Sequence, residues 1–203
     1  MDMQDNEEHN GTYTLADPIP EYVETERLLI RSPLIGRVEI HDSVIVNAAI
    51  RESLDELMLF LPFAQRVPEL LDTEIDLQQA RLRFLRREGF RYLIFSKESA
   101  QFIGVVSLQG IDYQVKKCEL GYWIRSSCSG QGYMAEAVEA LIELGFERLG
   151  FRRMAIQCES TNWKSRALAE RLGFELEGIL KNEDLSADGL RWTDTCIYAK
   201  VNM

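Results

Sequence analysis

The sequence predicts a mixed α/β fold: a mostly antiparallel, twisted sheet flanked by helices. Three observations carry this. Three strand-like segments follow one another between residues 91 and 124, too closely spaced for crossovers, so they form an antiparallel meander. A helical stretch then separates the Glu119 segment from Met154–Glu159, and a strand–helix–strand unit of this kind runs its strands parallel. Helical periodicity before, between and after the strands supplies cover for both faces of the sheet.

Residues 1 to 20 are polar and close on Pro18 and Pro20; they read as an acidic tail or edge extension ahead of one domain over 21–203. Thr25–Arg31 is the first strand, since Leu28, Ile30 and the flanking charges alternate. Residues 37–61 read as two helices, with one stripe at Val38, His41, Ile45 and Ala49 and another at Leu54, Leu57, Met58 and Leu61. Pro62 and Pro68 break the run. Asp72 or Thr73 is expected to cap the next helix, with Ile75, Leu77, Ala80, Leu82, Phe84 and Leu85 on its apolar side and Arg81, Arg83, Arg86 and Arg87 as solvated decoration. Strands follow at 91–96, 101–108 and 117–124, with turns at Ser99-Ala100 and Asp112–Lys116. A helix over 134–148 has a continuous apolar face of Met134, Ala137, Val138, Leu141, Ile142 and Gly145, and Gly150 stops it. Strand 154–159, a helix opened by Asn162 and ended by Gly173, and a hairpin of 174–180 with 192–201 around a polar connection complete the chain.

Composition narrows the function. The chain has 203 residues and a net charge of -10. Residues 1–24 hold seven acids and no Lys or Arg, so the remainder carries about -3. A nearly balanced body lacks the basic stripe that nucleic acid requires. The four cysteines, at 118, 128, 158 and 196, show no C-x-x-C spacing, and the only histidines are His9 and His41. That excludes a Cys/His zinc site and a disulfide framework. The acidic N-terminus is no signal peptide, and the longest apolar run, 57–63, is too short to span a bilayer. The expectation is a cytoplasmic, reduced protein with no metal.

Chemistry concentrates at Glu119-Leu-Gly-Tyr-Trp-Ile-Arg125 and the turn Ser129-Gly-Gln-Gly-Tyr-Met134. A strand, a glycine-bearing turn and a helix leave the first helical N–H groups unpaired and aimed at one spot, where the helix dipole adds partial positive charge. Gly130 and Gly132 allow close approach of an oxygen-rich anion to the backbone. The turn reads as a phosphate or pyrophosphate seat. It is neither a Walker loop nor a dinucleotide fingerprint, because no Lys-Ser/Thr follows and the glycine spacing differs.

These residues together resemble the GNAT acyltransferase superfamily, and within it the Rim-type ribosomal-protein N-terminal acetyltransferase branch. Four pieces in order carry the resemblance, over residues 23 to 201: Thr25-Glu-Arg-Leu-Leu-Ile-Arg31; Glu119-Leu-Gly-Tyr-Trp-Ile; Ser129-Gly-Gln-Gly-Tyr-Met134, where the superfamily has Q/R-x-x-G-x-G/A; and Asn162-Trp-Lys-Ser165 with Gly173-Phe174. Two positions depart from the loop pattern. Ser129 stands in place of Gln or Arg, and Met134, in place of Gly or Ala, must turn onto the buried helix face.

The resemblance implies a splayed parallel strand pair that holds acetyl-CoA. The backbone around Trp123, Ile124 and Arg125 would bind the pantetheine arm. Ser129, Gly130, Gln131, Gly132, Tyr133 and Met134 would take the pyrophosphate, and Asn162 would bond the arm while capping its helix. It makes Glu119 the general base, with Gly121 leaving space beside it, and offers Ser165 as hydrogen-bond donor to the departing sulfur. The usual thiolate-protonating Tyr position is here Ala169. Cys128 adjoins the turn, but no His stands nearby in sequence, and the family transfers the acyl group directly. Lys164 and Arg166 are candidates for the adenosine phosphates. The implied reaction moves an acetyl group from acetyl-CoA to a primary amine, such as a ribosomal or other protein N-terminus. The alternatives are acetylation of a small-molecule amine (an antibiotic or polyamine) and a non-catalytic acyl-CoA-binding module. Residues 37–88 would flank the acceptor mouth, and the protein would be a monomer or homodimer without membrane or nucleic-acid partners.

Overall fold

The computed structural model describes residues 18–33 and 42–202. The expected tail up to residue 17, and the stripe positions Val38 and His41, lie outside them. Eight strands form one sheet: β1 (Tyr22–Glu24), β2 (Leu28–Arg31), β3 (Phe90–Ser96), β4 (Phe102–Asp112), β5 (Lys117–Ile124), β6 (Arg153–Glu159), β7 (Glu175–Leu185) and β8 (Trp192–Val201). Their order is β1-β2-β3-β4-β5-β6-β8-β7. Every pairing is antiparallel except β5 with β6. The helices are α1 (Asp42–Glu52), α2 (Leu54–Leu57), α3 (Leu70–Leu85), α4 (Tyr133–Glu143) and α5 (Trp163–Arg171).

The period of two along the strands divides the core. One set of side chains packs with α4 and includes Ile94, Leu108, Cys118, Leu120, Val138, Leu141, Met154 and Ile156. Leu93, Phe95, Phe102 and Val105 point the other way and pack with Val46, Ala49, Ile50, Leu57 and Leu77 of α1 to α3. On β5 the consequence for function is direct. Tyr122 and Ile124 belong to the α4 face, whereas Trp123 belongs to the α1–α3 face, and alternation puts Glu119 and Gly121 with Trp123.

Several elements differ from the sequence-based expectation. An edge strand, β1, precedes the expected first strand and pairs with it. α3 begins at Leu70, not at Asp72 or Thr73. Glu69 is its N-cap, and Asp72 closes a capping box from the third helical position. Only Thr73, Leu77, Ala80 and Phe84 of α3 are buried, while Ile75, Leu82 and Leu85 are exposed. Arg81 is not solvated: it donates to Ser32 Oγ at 2.9 Å and Glu21 Oε1 at 2.7 Å, tying α3 to the N-terminal strands. The helix expected over 134–148 gives way to a π-helical turn at Leu144–Arg148. There Gly145 lies so close to Met154 that a Cβ would sit 2.7 Å from its sulfur. The last hairpin is longer than expected. β7 runs on to Leu185, with Asp194 receiving Lys181 Nζ at 2.7 Å and the Asn182 N–H at 3.0 Å across the pair. Among the described residues, no helix is long and apolar enough to cross a membrane.

Candidate active site

The parallel pairing of β5 with β6 covers Lys117↔Arg153, Cys118↔Met154 and Glu119↔Ala155 and goes no further. Beyond Glu119 the two strands part. β5 stays paired with β4 as far as Gly104↔Ile124, and the Arg125 N–H continues that ladder by donating to Ile103 O at 2.8 Å. Antiparallel bonding alternates. With Arg125 bonded to β4, so are Trp123 and Gly121, whereas the N–H and C=O groups of Tyr122 and Ile124 point the other way, into the gap. Of the three residues expected beside the pantetheine arm, Ile124 turns its backbone groups into the gap, as does Tyr122, while those of Trp123 face β4. The Arg125 N–H goes to Ile103 and its C=O accepts from the Cys128 N–H.

A cleft of about 510 Å³ occupies this gap. Tyr122, Trp123, Ile124, Gly130, Asn162 and Ser165 line its centre. Glu56, Leu57, Phe60 and Leu61, in and just after α2, close it on the α1–α3 face, the region expected to flank the acceptor.

The loop at one end has the geometry of an anion seat. Gly130 (φ +77°) and Gly132 (φ +81°) are left-handed, a conformation that glycine adopts without penalty. Gly132 caps α4 with no side-chain hydrogen bond. The N–H groups of Gly132, Tyr133, Met134 and Ala135 therefore have no intrahelical partner. Ser129 lines the cleft, but its N–H donates to Ser126 O. Gln131 points back, donating to Ser127 O at 3.1 Å. Met134 is buried in the core, as its position required, and so is Cys128, which anchors the loop from below.

Arg27 braces this loop, and sequence reasoning noted it only as one letter of the opening motif. It donates from Nε to Glu136 Oε2 at 2.7 Å and from Nη1 to Gln131 O at 3.1 Å, and it stacks on the Tyr133 ring. Thr25 Oγ1 adds a bond to Glu136 at 2.5 Å. A bare carboxylate in the first turn of α4 would repel a phosphate. Burial alone would raise the Glu136 pKa, but Thr25 and Arg27 outweigh it and hold the carboxyl below its ordinary range, as a neutralised pair. The other end of the loop is latched to α1 and α2. Arg125 Nε donates to Glu52 Oε2 at 2.7 Å, Ser126 Oγ to Glu56 at 2.7 Å, and the Ser126 N–H to Ser53 Oγ at 2.9 Å. Arg125 and Ser127 hold the Glu52 pKa down to about 2.

Glu119 sits where the strands part, on the α1–α3 face. It does not line the cleft. Its Oε1 accepts from Gln109 Nε2 and its Oε2 from Gln157 Nε2, each at 3.1 Å. Burial raises its pKa, and the Gln109 bond only partly offsets that. The space expected beside Gly121 is filled: a Cβ there would lie 3.1 Å from Ser107 Oγ and 3.3 Å from the Gln109 amide. The glycine thus admits the side chain that orients Glu119. Neither glutamine was found from sequence, because cross-strand neighbours depend on register.

Asn162 caps α5, its Oδ1 accepting from the Ser165 N–H at 3.1 Å, and it also lines the cleft. Ser165 Oγ lies 2.9 Å from the Tyr122 hydroxyl. Ala169, a methyl side chain buried in the core, offers no hydroxyl from that position. Of the basic candidates, Lys164 lines the cleft together with Arg171. Arg166 turns away, stacking on Trp163 and donating to Tyr198 and to Ser160 O.

A parallel pair that opens into a cleft, with a helix N-terminus beside it, places the chain among mixed α/β folds with a split sheet. The chain belongs to the GNAT acetyltransferase family: the family's acetyltransferase (GNAT) domain matches residues 37–175. Among its relatives is the ribosomal-protein-serine acetyltransferase of Escherichia coli, 33% identical over 117 residues, which are 58% of this chain and 64% of that one. The Bacillus subtilis protein YdaF is 43% identical over 75 residues, 37% of this chain and 41% of that one. The chain thus spans less than two thirds of the length of both curated relatives. Over nearly its whole length it superposes on the solved RimL, the ribosomal L7/L12 alpha-N-protein acetyltransferase in complex with coenzyme A. That match has a TM-score of 0.77 and 29% identity, covering 90% of this chain and 97% of RimL.

Proposed function

We propose that the protein transfers an acetyl group from acetyl-CoA directly to a primary amine, and that the amine is a protein N-terminus, as with the ribosomal-protein acetyltransferases it resembles. The observation that carries this is the end of β5–β6 pairing at Glu119. It leaves outward-facing backbone groups of Tyr122 and Ile124 in a cleft open to both faces of the sheet.

The residues present fit acetyl-CoA as substrate. The N–H groups of Gly132 to Ala135, at the positive end of α4, would hold the diphosphate, with Arg27 neutralising Glu136 beside them. Lys164 and Arg171, on the facing wall, would supply the positive charge that Ser129 lacks. The Asn162 side-chain N–H₂, left over from capping, and the Tyr122 and Ile124 backbone would hold the arm. A backbone N–H there would also face the thioester oxygen as charge develops on it.

The chemistry asks little of the protein. The thioester is an activated donor: the amine forms the C–N bond as the C–S bond breaks. An α-amine has a pKa of about 8, against about 10.4 for lysine, so an N-terminal amine demands only a modest base. Glu119 suits that role, acting from the acceptor face through water, because its raised pKa makes it a better proton acceptor than an exposed carboxylate. Ser165, on the opposite face, would donate a hydrogen bond to the sulfur as charge collects there.

The test is thiol release from acetyl-CoA with a panel of free N-terminal peptides, including Ser- and Ala-initiated ones, against lysine side chains, amino sugars and polyamines. Turnover confined to α-amines supports the reading. Turnover with the small amines alone overturns the acceptor, and coenzyme A binding without turnover on any amine overturns the enzyme.

A further inference from the structure

We propose that Tyr122 is a positioning residue for departure of the thiol: its hydroxyl donates to Ser165 Oγ and thereby turns the seryl hydrogen toward the sulfur. This rests on the reading of Ser165 as the group that meets the sulfur.

Three features lead to it. Both side chains line the cleft. Their oxygens are 2.9 Å apart, where either can donate, and the competing acceptor for the phenol hydrogen, the Ser165 carbonyl, is farther off at 3.4 Å. Tyr122 comes from β5 and Ser165 from α5, so the bond spans the two walls that the strand divergence separates.

A seryl hydroxyl has one hydrogen and two lone pairs, and it rotates freely unless something holds it. If Tyr122 donates into one lone pair, the seryl hydrogen must point elsewhere. The other group near it is the Cys158 thiol, whose titration Ser165 influences. Burial, the leading influence on that thiol, keeps it neutral, and a neutral thiol is a weak acceptor. A sulfur gaining charge in the cleft is a far stronger one. The chain of phenol to serine to sulfur then strengthens along its length, because each donor is polarised by the next.

The phenol keeps its own proton throughout. Burial pushes Tyr122 up to about 12, well above a thiol at about 8.5, so transfer to the thiolate would be strongly uphill. As the C–S bond breaks, its electron pair goes to sulfur, which takes a proton from water in the cleft. Tyr122 therefore serves the step as a fixed donor and does not titrate in the working range. The sequence hid it: Ala169 occupies the position where a tyrosine is expected, while this hydroxyl comes from the opposite wall.

The experiment compares Tyr122→Phe, Ser165→Ala and the double variant for kcat, acetyl-CoA KM and the pH profile of kcat, with thermal melting and coenzyme A binding as checks on the fold. Tyr122→Phe keeps the ring. It should lower kcat by about tenfold, the upper end for one neutral hydrogen bond, while changing KM less than about twofold and leaving the alkaline limb in place. In the Ser165→Ala background it should cost nothing more. If Ser165→Ala loses activity and Tyr122→Phe does not, this inference fails and the Ser165 reading stands. If Ser165→Ala loses nothing, that reading fails and takes the inference with it. Losses that multiply in the double variant, or an alkaline limb that disappears with Tyr122, would mean that the phenol acts independently or as a titrating acid, and either result overturns the positioning role.

Discussion

Glu119→Gln tests the proposed base with little steric disturbance. The replacement is isosteric, and its neighbours Gln109 and Gln157, each 3.1 Å from a carboxylate oxygen, can turn an amide to match the new N–H₂. At pH 7 only about a tenth of an α-amine with a pKa near 8 is neutral. A positioned base contributes about 10² to 10⁴ in rate, and this easily deprotonated acceptor draws on the lower end. The expected loss at pH 7 is therefore roughly 100-fold in kcat, about 2.7 kcal/mol. Raising the pH to 9 makes about nine-tenths of the amine neutral, so the variant should recover about tenfold while the parent gains less. Stability should move the other way. Burial raises the folded-state pKa of Glu119, so the protonated form is the one that favours folding. Its contribution is present below the unfolded pKa and is lost as pH rises through the folded one. Glu119→Gln should then melt at or above the parent at pH 7, with the gap closing near pH 4. The assay is thiol release at saturating N-terminal peptide from pH 6 to 9.5, beside thermal melts. A variant within twofold of the parent at pH 7, or an equal deficit at every pH, would refute the assignment.

Other outcomes follow from the same geometry. Gly130→Ala puts a Cβ on φ +77° with nothing within 4 Å to clash, so the cost is the backbone's own, about 1–2 kcal/mol. With the loop braced at both ends, it should appear as a lower Tm and, by calorimetry, as a roughly tenfold weaker affinity for coenzyme A. Glu52→Gln cuts the latch between α1 and the loop and should destabilise the protein by about 0.2–1 kcal/mol at pH 7, the range for a partly exposed pair. The Glu52 pKa is depressed to about 2, so its contribution holds above the unfolded value of ~4.3 and is lost as pH falls through about 2; melts of variant and parent should converge there. Replacing Lys164 and Arg171 together with Gln should weaken coenzyme A and flatten the salt dependence of its binding. Arg166→Gln, whose guanidinium lies on Trp163, should leave both unchanged in a titration against salt.

How much of this was legible in the chain depended on whether the cause was local. The alternation of Leu28 and Ile30, the meander from 91 to 124, the glycine turn before α4 and the Asn162 cap are each decided by residues within a few positions of one another, through backbone sterics and the strand or helix period. From them the fold class, the parallel β5–β6 pair and the glycine turn ahead of α4 could be read directly. The α3 cap was missed by three residues because Glu69 and Asp72 close a reciprocal box that a single-cap reading overlooks. The π-helical turn was missed because the apolar period alone does not separate it from a continued α-helix; it sets Gly145 against Met154 of another element.

The site divides the same way. Gly130 and Gly132 stood out in sequence by type and spacing and Asn162 as a helix cap, whereas Glu119 and Ser165 were singled out by the family resemblance. What each touches was not visible there. Whether Trp123 or Ile124 offers its amide to the cleft depends on the phase of the β4 ladder, which slips at a register shift. That Arg27 neutralises Glu136, 109 residues away, and that Tyr122 meets Ser165 across the divergence, are consequences of how the sheet and two helices come together. Local spacing determined the strands, the glycine turn and the helix caps; only packing decided which atoms face one another, since distance between side chains from separate elements is set by register and by the angle at which the strands part.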